Sequence, residues 1–263
     1  MKLRMFQVDA FTAERFRGNP AAVIPLQAWL SDELMQAIAA ENNLSETAFF
    51  VRGADGAFHI RWFSPLTEID FCGHATLASA FVLLEQDLAQ APLVFRAAAV
   101  GDLSVQRRAD GLLEMSFPNR APDPVAEPPA ALLQGLGCEP DVVLRNQQAW
   151  FAVYRDEQQV RMLTPDLDAL RTLAPLDVVV TAPGREQDFV SRYFWPANGG
   201  AEDPVTGSIH AGLAPFWAGQ LGRNELVALQ ASARTGILHC RVEADRVMVA
   251  GQAVLFLDGT IEL

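Results

Sequence analysis

Glu46 has the sequence context of a general acid or base. It follows a segment that reads as a helix and directly precedes Thr47 and the apolar run 48–51, which reads as a strand. A carboxylate at the edge of an apolar strand tends to lose its water, which raises its pKa and lets it both accept and donate a proton. Ser45 beside it could orient the carboxylate or a substrate. The alternative from the pattern alone is an ordinary surface glutamate.

Two turns of small residues could bind an anion. They cover residues 72–76 and 206–208, and each opens an apolar stretch that predicts a helix. Backbone N–H groups at a helix start lack partners and can hold a carboxylate, and a glycine lets the ligand approach the backbone closely. The residues of these turns that could contact an anion are Gly73, Thr76, Gly207 and Ser208. The alternative is that both are ordinary helix starts, where small and capping residues are common.

His74 and Asp203 are the titratable residues nearest these turns. His74 is predicted at the first helical position, where a protonated imidazole is disfavoured but a neutral one can still transfer a proton or bind a substrate oxygen. Asp203 precedes Pro204, which fixes the backbone and so presents the aspartate in a defined direction. The simpler roles are a structural histidine and a helix-capping aspartate.

Cys72 lies before the first turn, where a helix N-terminus would make its thiol acidic and reactive. Two such thiols would suit removal of a proton from one face of a carbon and its return to the other. Thr206 stands at the matching place before the second turn, and a threonine cannot be that second acid or base at neutral pH. The sequence therefore argues against symmetric two-thiol racemisation. The remaining histidines show no spacing typical of metal ligands, so no metal site is predicted.

The elements that must position these residues occur twice. Arg61-Trp62-Phe63-Ser64-Pro65 leads to the first turn, and Arg192-Tyr193-Phe194-Trp195-Pro196 leads to the second. Each copy predicts a strand, a loop and a buried apolar helix, the helices covering about 74–85 and 208–217. The fold class predicted is α+β, with two pseudo-symmetric lobes, each a curled mixed sheet around a central helix. A cleft between such lobes would let both helix starts face one ligand.

The proline-rich stretch 118–129 lies near the midpoint and reads as a linker. It predicts an N-terminal lobe over 1–118 and a C-terminal lobe over 119–263, with the option that the last strands return to the first lobe.

Composition narrows the class of protein. The formal net charge of −12 argues against a nucleic-acid partner or an anionic membrane surface, although local helix dipoles could still hold an anionic substrate. Three cysteines without a CxxC pair suggest neither a disulfide framework nor a zinc site. Neither a signal peptide nor an apolar run of about 18 residues is present. A cytoplasmic location is predicted.

In these segments the sequence resembles the PhzF-like family of phenazine-biosynthesis isomerases, which belongs to the diaminopimelate epimerase-like fold. The segments that carry the resemblance are 8–11, 18–23, 43–49, 61–63, 71–76 and 202–208. The resemblance implies a duplicated α+β fold with the site between the halves, no metal or organic cofactor, and commonly a homodimer. It also implies that a glutamate moves a proton between substrate carbons, and that glutamate matches Glu46.

The resemblance assigns further residues one by one. The family's histidine after glycine matches His74, and the aspartate of its Asp-Pro segment matches Asp203. Its Asn-Pro loop matches Asn19-Pro20, and its Thr-Gly-Ser turn matches residues 206–208. Related epimerases carry one thiol in each half, whereas this chain keeps only Cys72, which favours single-carboxylate chemistry.

The resulting hypothesis is a cofactor-independent isomerase that moves a proton on a small carboxylated substrate, with Glu46 as general acid and base. Two alternatives stay open. The first is an epimerase or racemase that uses Cys72 with a non-thiol partner. The second is a non-catalytic protein that binds small carboxylates.

Overall fold

The computed structural model describes residues 1–263 and divides the chain into two compact units. Unit 1 contains residues 1–116 together with 250–263, and unit 2 contains residues 117–249. Both units combine strands with helices, so the predicted α+β class is confirmed.

Unit 1 is built on one mixed sheet. The elements are β1 Lys2–Ala10, β2 Asn19–Leu26, α1 Asp32–Asn42, β3 Glu46–Arg52, β4 Phe58–Phe63, β5 Glu68–Ile69, α2 Gly73–Glu85, β6 Leu93–Ala97, β7 Gly101–Arg107, β8 Leu113–Pro118 and β18 Ala253–Glu262. Strands β18, β1 and β2 pair antiparallel, and β2 and β3 pair parallel. Strands β3 and β4 pair antiparallel, β4 and β6 pair parallel, and β6 to β8 pair antiparallel. The last strand of the chain thus completes the sheet that its first strand begins.

Unit 2 follows the same plan. The elements are β9 Asp123–Pro124, α3 Ala130–Leu136, β10 Val142–Arg145, β11 Ala149–Val153, α4 Glu157–Met162, α5 Leu167–Arg171, β12 Asp177–Pro183, β13 Phe189–Phe194, β14 Glu202–Asp203, α6 His210–Leu221, β15 Glu225–Gln230, β16 Gly236–Val242 and β17 Arg246–Gly251. Strands β9 to β11 pair antiparallel, and β11 and β12 pair parallel. Strands β12 and β13 pair antiparallel, β13 and β15 pair parallel, and β15 and β16 pair antiparallel.

The register of the strands confirms the duplication. The order parallel, antiparallel, parallel runs through β2-β3-β4-β6 in unit 1 and through β11-β12-β13-β15 in unit 2. Phe63 lies opposite Thr47, and Phe194 lies opposite Val178. Because these pairs are equivalent, the residue that begins β3 in unit 1 corresponds to Asp177, which begins β12 in unit 2.

The two central helices are buried for the reason their sequences suggest. Apolar and small residues surround α2 on nearly every side, and ten of its thirteen residues are buried, as a helix without a polar face requires. The predicted start of α2 is correct to one residue. The predicted start of α6 is two residues early, because residues 207–209 form a turn with bonds such as that from the His210 N–H to the Gly207 carbonyl.

Two short helices of unit 2 were not expected from the sequence. Helix α3 has seven residues and follows Pro129, so it lies just beyond the proline-rich stretch. Helix α4 has six residues and begins with a capping box, in which Asp156 and Gln159 bond to each other's backbone N–H groups. Elements this short show too few turns for a helical period to stand out. None of the helices combines the length and apolar character needed to span a lipid bilayer.

Candidate active site

Glu46 begins β3 and lies inside unit 1. Its strand pairs parallel with β2, where Ala21 is its register partner, and only 7 % of its surface is exposed. The neighbouring residues 47–50 are buried as well, and Phe49 packs edge-on against Phe63. The apolar strand therefore withdraws this carboxylate from water, as the sequence suggested.

His74 lies directly against this carboxylate. It is the second residue of α2, is 5 % exposed, and its Nε2 is 2.9 Å from Glu46 Oε2. Its other ring nitrogen, Nδ1, lies 3.0 Å from Nδ2 of the fully buried Asn19. An amide nitrogen can only donate, so Nδ1 accepts this bond and the neutral ring carries its hydrogen on Nε2, the side that faces Glu46.

One oxygen of Glu46 stands out because no hydrogen bond satisfies it. Oε2 is buried and accepts no bond of good geometry, although His74 Nε2 is within ion-pair distance. The distance is short, but the ring N–H is not aimed at the oxygen. Buried polar atoms nearly always have a partner, so an unsatisfied one needs an explanation. A role in accepting a proton from a substrate would explain why Oε2 has no hydrogen bond.

Cys72 completes a cluster of three reactive side chains. Its Sγ lies 3.4 Å from His74 Nδ1 and 3.9 Å from Nε2, and the thiol is 5 % exposed. Donor atoms of Glu46, Cys72 and His74 all lie within 4.8 Å of one another. The cluster therefore combines a carboxylate, a thiol and an imidazole, which could transfer protons or hold a metal ion.

The start of α2 lies beside the cluster. Its N-cap residue is Cys72, and no side chain caps the first turn. Gly73 begins the helix and is buried. The Thr76 hydroxyl donates to the Cys72 carbonyl at 2.6 Å, so its hydrogen is directed to the backbone. Ser45, next to Glu46, is half-buried. Backbone N–H groups at a helix start point outward, so a turn of this kind could bind an anion.

In unit 2, hydrogen bonds hold Asp203 to the segment that follows it in the chain. Its carboxylate accepts a short hydrogen bond from the Thr206 hydroxyl. Gln230, which is fully buried, donates from Nε2 to the Asp203 carbonyl at 2.9 Å and accepts at Oε1 from the Thr206 N–H at 2.8 Å. The Asp203–Thr206 segment is therefore held by a strand glutamine that no sequence motif indicated.

Ser208 has a defined polarity. Gln148 Nε2 donates to Ser208 Oγ at 2.9 Å, which leaves the hydroxyl hydrogen of Ser208 able to donate elsewhere. The same Nε2 lies 3.2 Å from the hydroxyl of Tyr193, and Tyr193 in turn donates to Asp177. Burial raises the pKa of Tyr193 well above its usual value and also raises the pKa of Asp177. Gly207, beside Ser208, is buried.

The structure thus places the predicted residues in two groups. In unit 1 it brings together Asn19, Glu46 and His74, with Ser45, Gly73 and Thr76 next to them. In unit 2, Asp203 ends β14 and bonds to Thr206, and Gly207 and Ser208 follow in the turn 207–209. Sequence reasoning missed Gln148 and Gln230, because a glutamine at a strand end or in a strand carries no local signal.

Comparison with known proteins identifies the family of this chain. The profile of the phenazine biosynthesis-like protein family matches residues 8–259. The chain belongs to this family. An uncharacterized isomerase of Pseudomonas aeruginosa is 49 % identical over 263 residues and is covered, like this chain, over its full length. An uncharacterized isomerase of Halalkalibacterium halodurans is 42 % identical, over 98 % of this chain and 97 % of the relative.

Solved structures agree with this membership. A PhzF-family protein of Enterococcus faecalis superposes with a TM-score of 0.95 at 42 % identity, over 100 % of both chains. A hydroxyproline epimerase of Agrobacterium vitis superposes with a TM-score of 0.62 at 9 % identity, over 99 % of this chain and 92 % of that one, and therefore shares the fold. The predicted epimerase-like fold is confirmed. As a phenazine biosynthesis-like protein with isomerase relatives over its whole length, the chain is an isomerase that acts on a small molecule.

Proposed function

We propose that this isomerase moves a proton between two positions of a small carboxylated substrate, with Glu46 as the group that takes and returns it. The single observation that supports this role most strongly is the buried Oε2 atom of Glu46, which no hydrogen bond satisfies. A buried carboxylate oxygen that accepts no hydrogen bond keeps a lone pair that no protein donor occupies. It therefore suits abstraction of a proton from carbon.

His74 has a supporting role in this proposal. Its Nε2, which carries the ring hydrogen, lies 2.9 Å from Glu46 Oε2, so a small rotation would let the ring donate to the carboxylate once the proton has returned to the substrate. Asn19 holds the ring through Nδ1 and so maintains this tautomer. The pair can thus pass between a carboxylic acid and a carboxylate without recruiting water.

The substrate carboxylate would be held by the first turn of α2. That turn has no side-chain cap and begins with Gly73, whose missing side chain lets an anion approach the backbone. Fixed N–H dipoles of this kind also stabilise negative charge that develops when a C–H bond is broken. In this proposal no metal or organic cofactor takes part, as the family resemblance implies. Asp203 and Ser208 stay predicted contributors, and a homodimer in the cytoplasm stays a prediction.

The test is proton exchange in D₂O. A small-molecule extract is incubated with the native protein or with Glu46→Gln, which keeps the shape of the side chain and removes the base. Mass spectrometry should find a carboxylated compound that gains deuterium only with the native protein. Glu157→Gln is the matched control, because Glu157 is equally buried but lies in unit 2, where it pairs with Arg161. Labelling that persists in Glu46→Gln would remove Glu46 from the mechanism.

The epimerase alternative has one observation in its favour, the 3.4 Å contact between Cys72 Sγ and His74 Nδ1. A thiol beside an imidazole can become a reactive thiolate. Exchange that survives Glu46→Gln but disappears in Cys72→Ser would support this chemistry. Binding of small carboxylates without any exchange would instead support the non-catalytic alternative.

A further inference from the structure

We propose that Glu46, Cys72 and His74 form a binding site for Zn²⁺, and that occupancy by this ion switches the isomerase off. The site is the cluster already described, in which three donors of different chemistry lie within 4.8 Å of one another. Binding of the ion follows from the geometry of these donors alone. Only its inhibitory effect depends on the proposed function of Glu46.

The separations between the donor atoms are close to those of a zinc site. Typical Zn–S, Zn–N and Zn–O lengths in a tetrahedron place neighbouring donors about 3.3–3.6 Å apart. Here His74 Nε2 is 3.9 Å from Cys72 Sγ and 2.9 Å from Glu46 Oε2. Shifts of about half an ångström, within reach of side-chain rotation, would bring both separations into the range of a metal site. The fourth position would be left for water or a small ligand.

The chemistry of the donors selects the ion. Thiolate and imidazole favour Zn²⁺ and related transition metals, whereas Mg²⁺ and Ca²⁺ prefer sets of oxygens. All three residues are at most 7 % exposed, so few water molecules compete for the ion. Oε2 of Glu46 is also the buried atom without a hydrogen bond. The ion would supply the positive partner that this oxygen lacks.

Protons balance simply when the ion binds. The Cys72 thiol gives up its proton, Glu46 binds as a carboxylate, and His74 binds through a neutral Nε2 whose hydrogen moves to Nδ1. Nδ1 then needs an acceptor. Asn19 stands 3.0 Å away, and a half-turn of its amide would place the oxygen there. A carbonyl that accepts from the outer nitrogen of a metal-bound histidine is the usual supporting contact.

Inhibition follows because the ion and the substrate proton need the same lone pair. With Oε2 coordinated, Glu46 cannot act as a base, and the ion occupies the space beside the α2 start. Zn²⁺ should therefore stop the deuterium exchange defined above, and a chelator should restore it.

Co²⁺ is the probe for binding, since it takes the same ligands and reports them spectroscopically. Titration of the native protein with Co²⁺ should produce the near-ultraviolet thiolate-to-cobalt charge-transfer band and the visible bands of a tetrahedral ion. Zn²⁺ should displace both. Cys72→Ser should abolish the charge-transfer band. Glu46→Gln should weaken Zn²⁺ binding by at least about 10–100-fold, the range seen even for outer-shell partners.

The other two cysteines provide the control. Cys138 is exposed, and Cys240 is buried in unit 2, where burial raises the pKa of its thiol to about 12. The double variant Cys138→Ser, Cys240→Ser should keep the complete cobalt spectrum. A charge-transfer band that survives Cys72→Ser, or that is lost in the double variant, would overturn the proposal, as would a native protein that shows no band at saturating Co²⁺.

The outcomes separate this inference from the proposed function. If Co²⁺ binds through Cys72 and Glu46 but Zn²⁺ leaves proton exchange unchanged, the metal site is supported and the role of Glu46 as base is wrong. If Zn²⁺ does not bind while Glu46→Gln abolishes exchange, the metal site is wrong and the catalytic role stands.

Discussion

In each half of this protein an acidic residue begins an equivalent strand, but the two carboxylates differ in the hydrogen bonds they accept. Glu46 begins β3 of unit 1, and Asp177 begins the equivalent β12 of unit 2. Asp177 is bonded on both oxygens, by the Tyr193 hydroxyl and by Asn198 Nδ2 at 2.7 Å. Glu46 has one oxygen that accepts no hydrogen bond. The duplicated scaffold thus offers two equivalent acids: the half-buried Asp177, with hydrogen bonds to both oxygens, and the buried Glu46, with one oxygen that accepts none.

The histidines after the two turns differ in the same manner. His74 is two residues beyond Cys72 and faces Glu46, whereas His210 is four residues beyond Thr206 and bonds through Nδ1 to the Thr206 carbonyl at 2.9 Å. Thr76 makes the corresponding bond in unit 1, to the Cys72 carbonyl. His210 therefore occupies the place of Thr76 and has a structural role. Position within the turn, rather than residue type, thus decides which histidine lies against the strand acid and which bonds to the backbone.

The sharpest way to test this contrast is to neutralise each acid in turn. Glu46→Gln should lower turnover of the exchanged compound by about 10²–10⁴-fold, the usual contribution of a positioned acid or base. Asp177→Asn should change turnover by less than about tenfold. It should instead lower the free energy of unfolding by about 1–3 kcal/mol, since asparagine has one acceptor oxygen and one of the two donors, Tyr193 or Asn198, then faces an NH₂ group. Turnover and urea denaturation of both variants provide the check, and equal turnover losses would contradict the contrast.

The role of His210 can be tested through pH. Burial lowers the pKa of His210 from 6.5 to about 4, so the unfolded chain binds a proton here that the folded chain does not bind between these pH values. The free energy of unfolding should therefore fall as the pH drops from about 6.5 to 4, by up to about 3 kcal/mol from this group.

The measurement for His210 is urea denaturation at a series of pH values between 4 and 7. His210→Gln should show a shallower decline than the native protein, because glutamine does not titrate. A decline of unchanged steepness in His210→Gln would mean that another group dominates the pH dependence.

Removal of the Tyr193 hydroxyl should leave Asp177, like Glu46, with an oxygen that accepts no hydrogen bond. Tyr193→Phe removes one hydrogen bond from Asp177 and one from Gln148, and should cost about 1–3 kcal/mol of unfolding free energy. Tyr154→Phe is the matched control, since Tyr154 donates only to the Cys138 carbonyl and should cost about 1 kcal/mol. Thermal or urea unfolding measures both, and a smaller cost for Tyr193→Phe would contradict the importance of this network.

The repeated arginines allow the smallest test. Arg61 forms a bidentate pair with Glu68, and Arg192 forms one with Glu202. Arg192 is the more buried and also donates to the Leu163 carbonyl at 2.6 Å. Arg192→Met should therefore cost about 1–2 kcal/mol more than Arg61→Met, whose half-exposed pair contributes about 0–1 kcal/mol. Equal costs in urea denaturation would show that burial does not distinguish the copies.

Much of the fold could be predicted because both copies of the repeat contain short, recognisable sequence motifs. The Arg-aromatic-Phe strands and the small-residue turns identified both halves, and the apolar periphery of α2 indicated burial. Glu46 was indicated by the strand that follows it. The contacts among Asn19, Glu46 and His74 could not be predicted, since these residues are far apart in sequence. They meet only because β2 pairs with β3 and α2 packs against both strands. Asp177 was missed for the same reason, because only register identifies it as the counterpart of Glu46.

The pairing of β18 with β1 has a consequence for the order of folding. Unit 2 is continuous in sequence, so its contacts can form without any residue from outside 117–249. Unit 1 pairs strands that are far apart in sequence, and such contacts form slowly because a large loop must close first. We therefore expect the sheet that carries Glu46 to be completed after the sheet of unit 2.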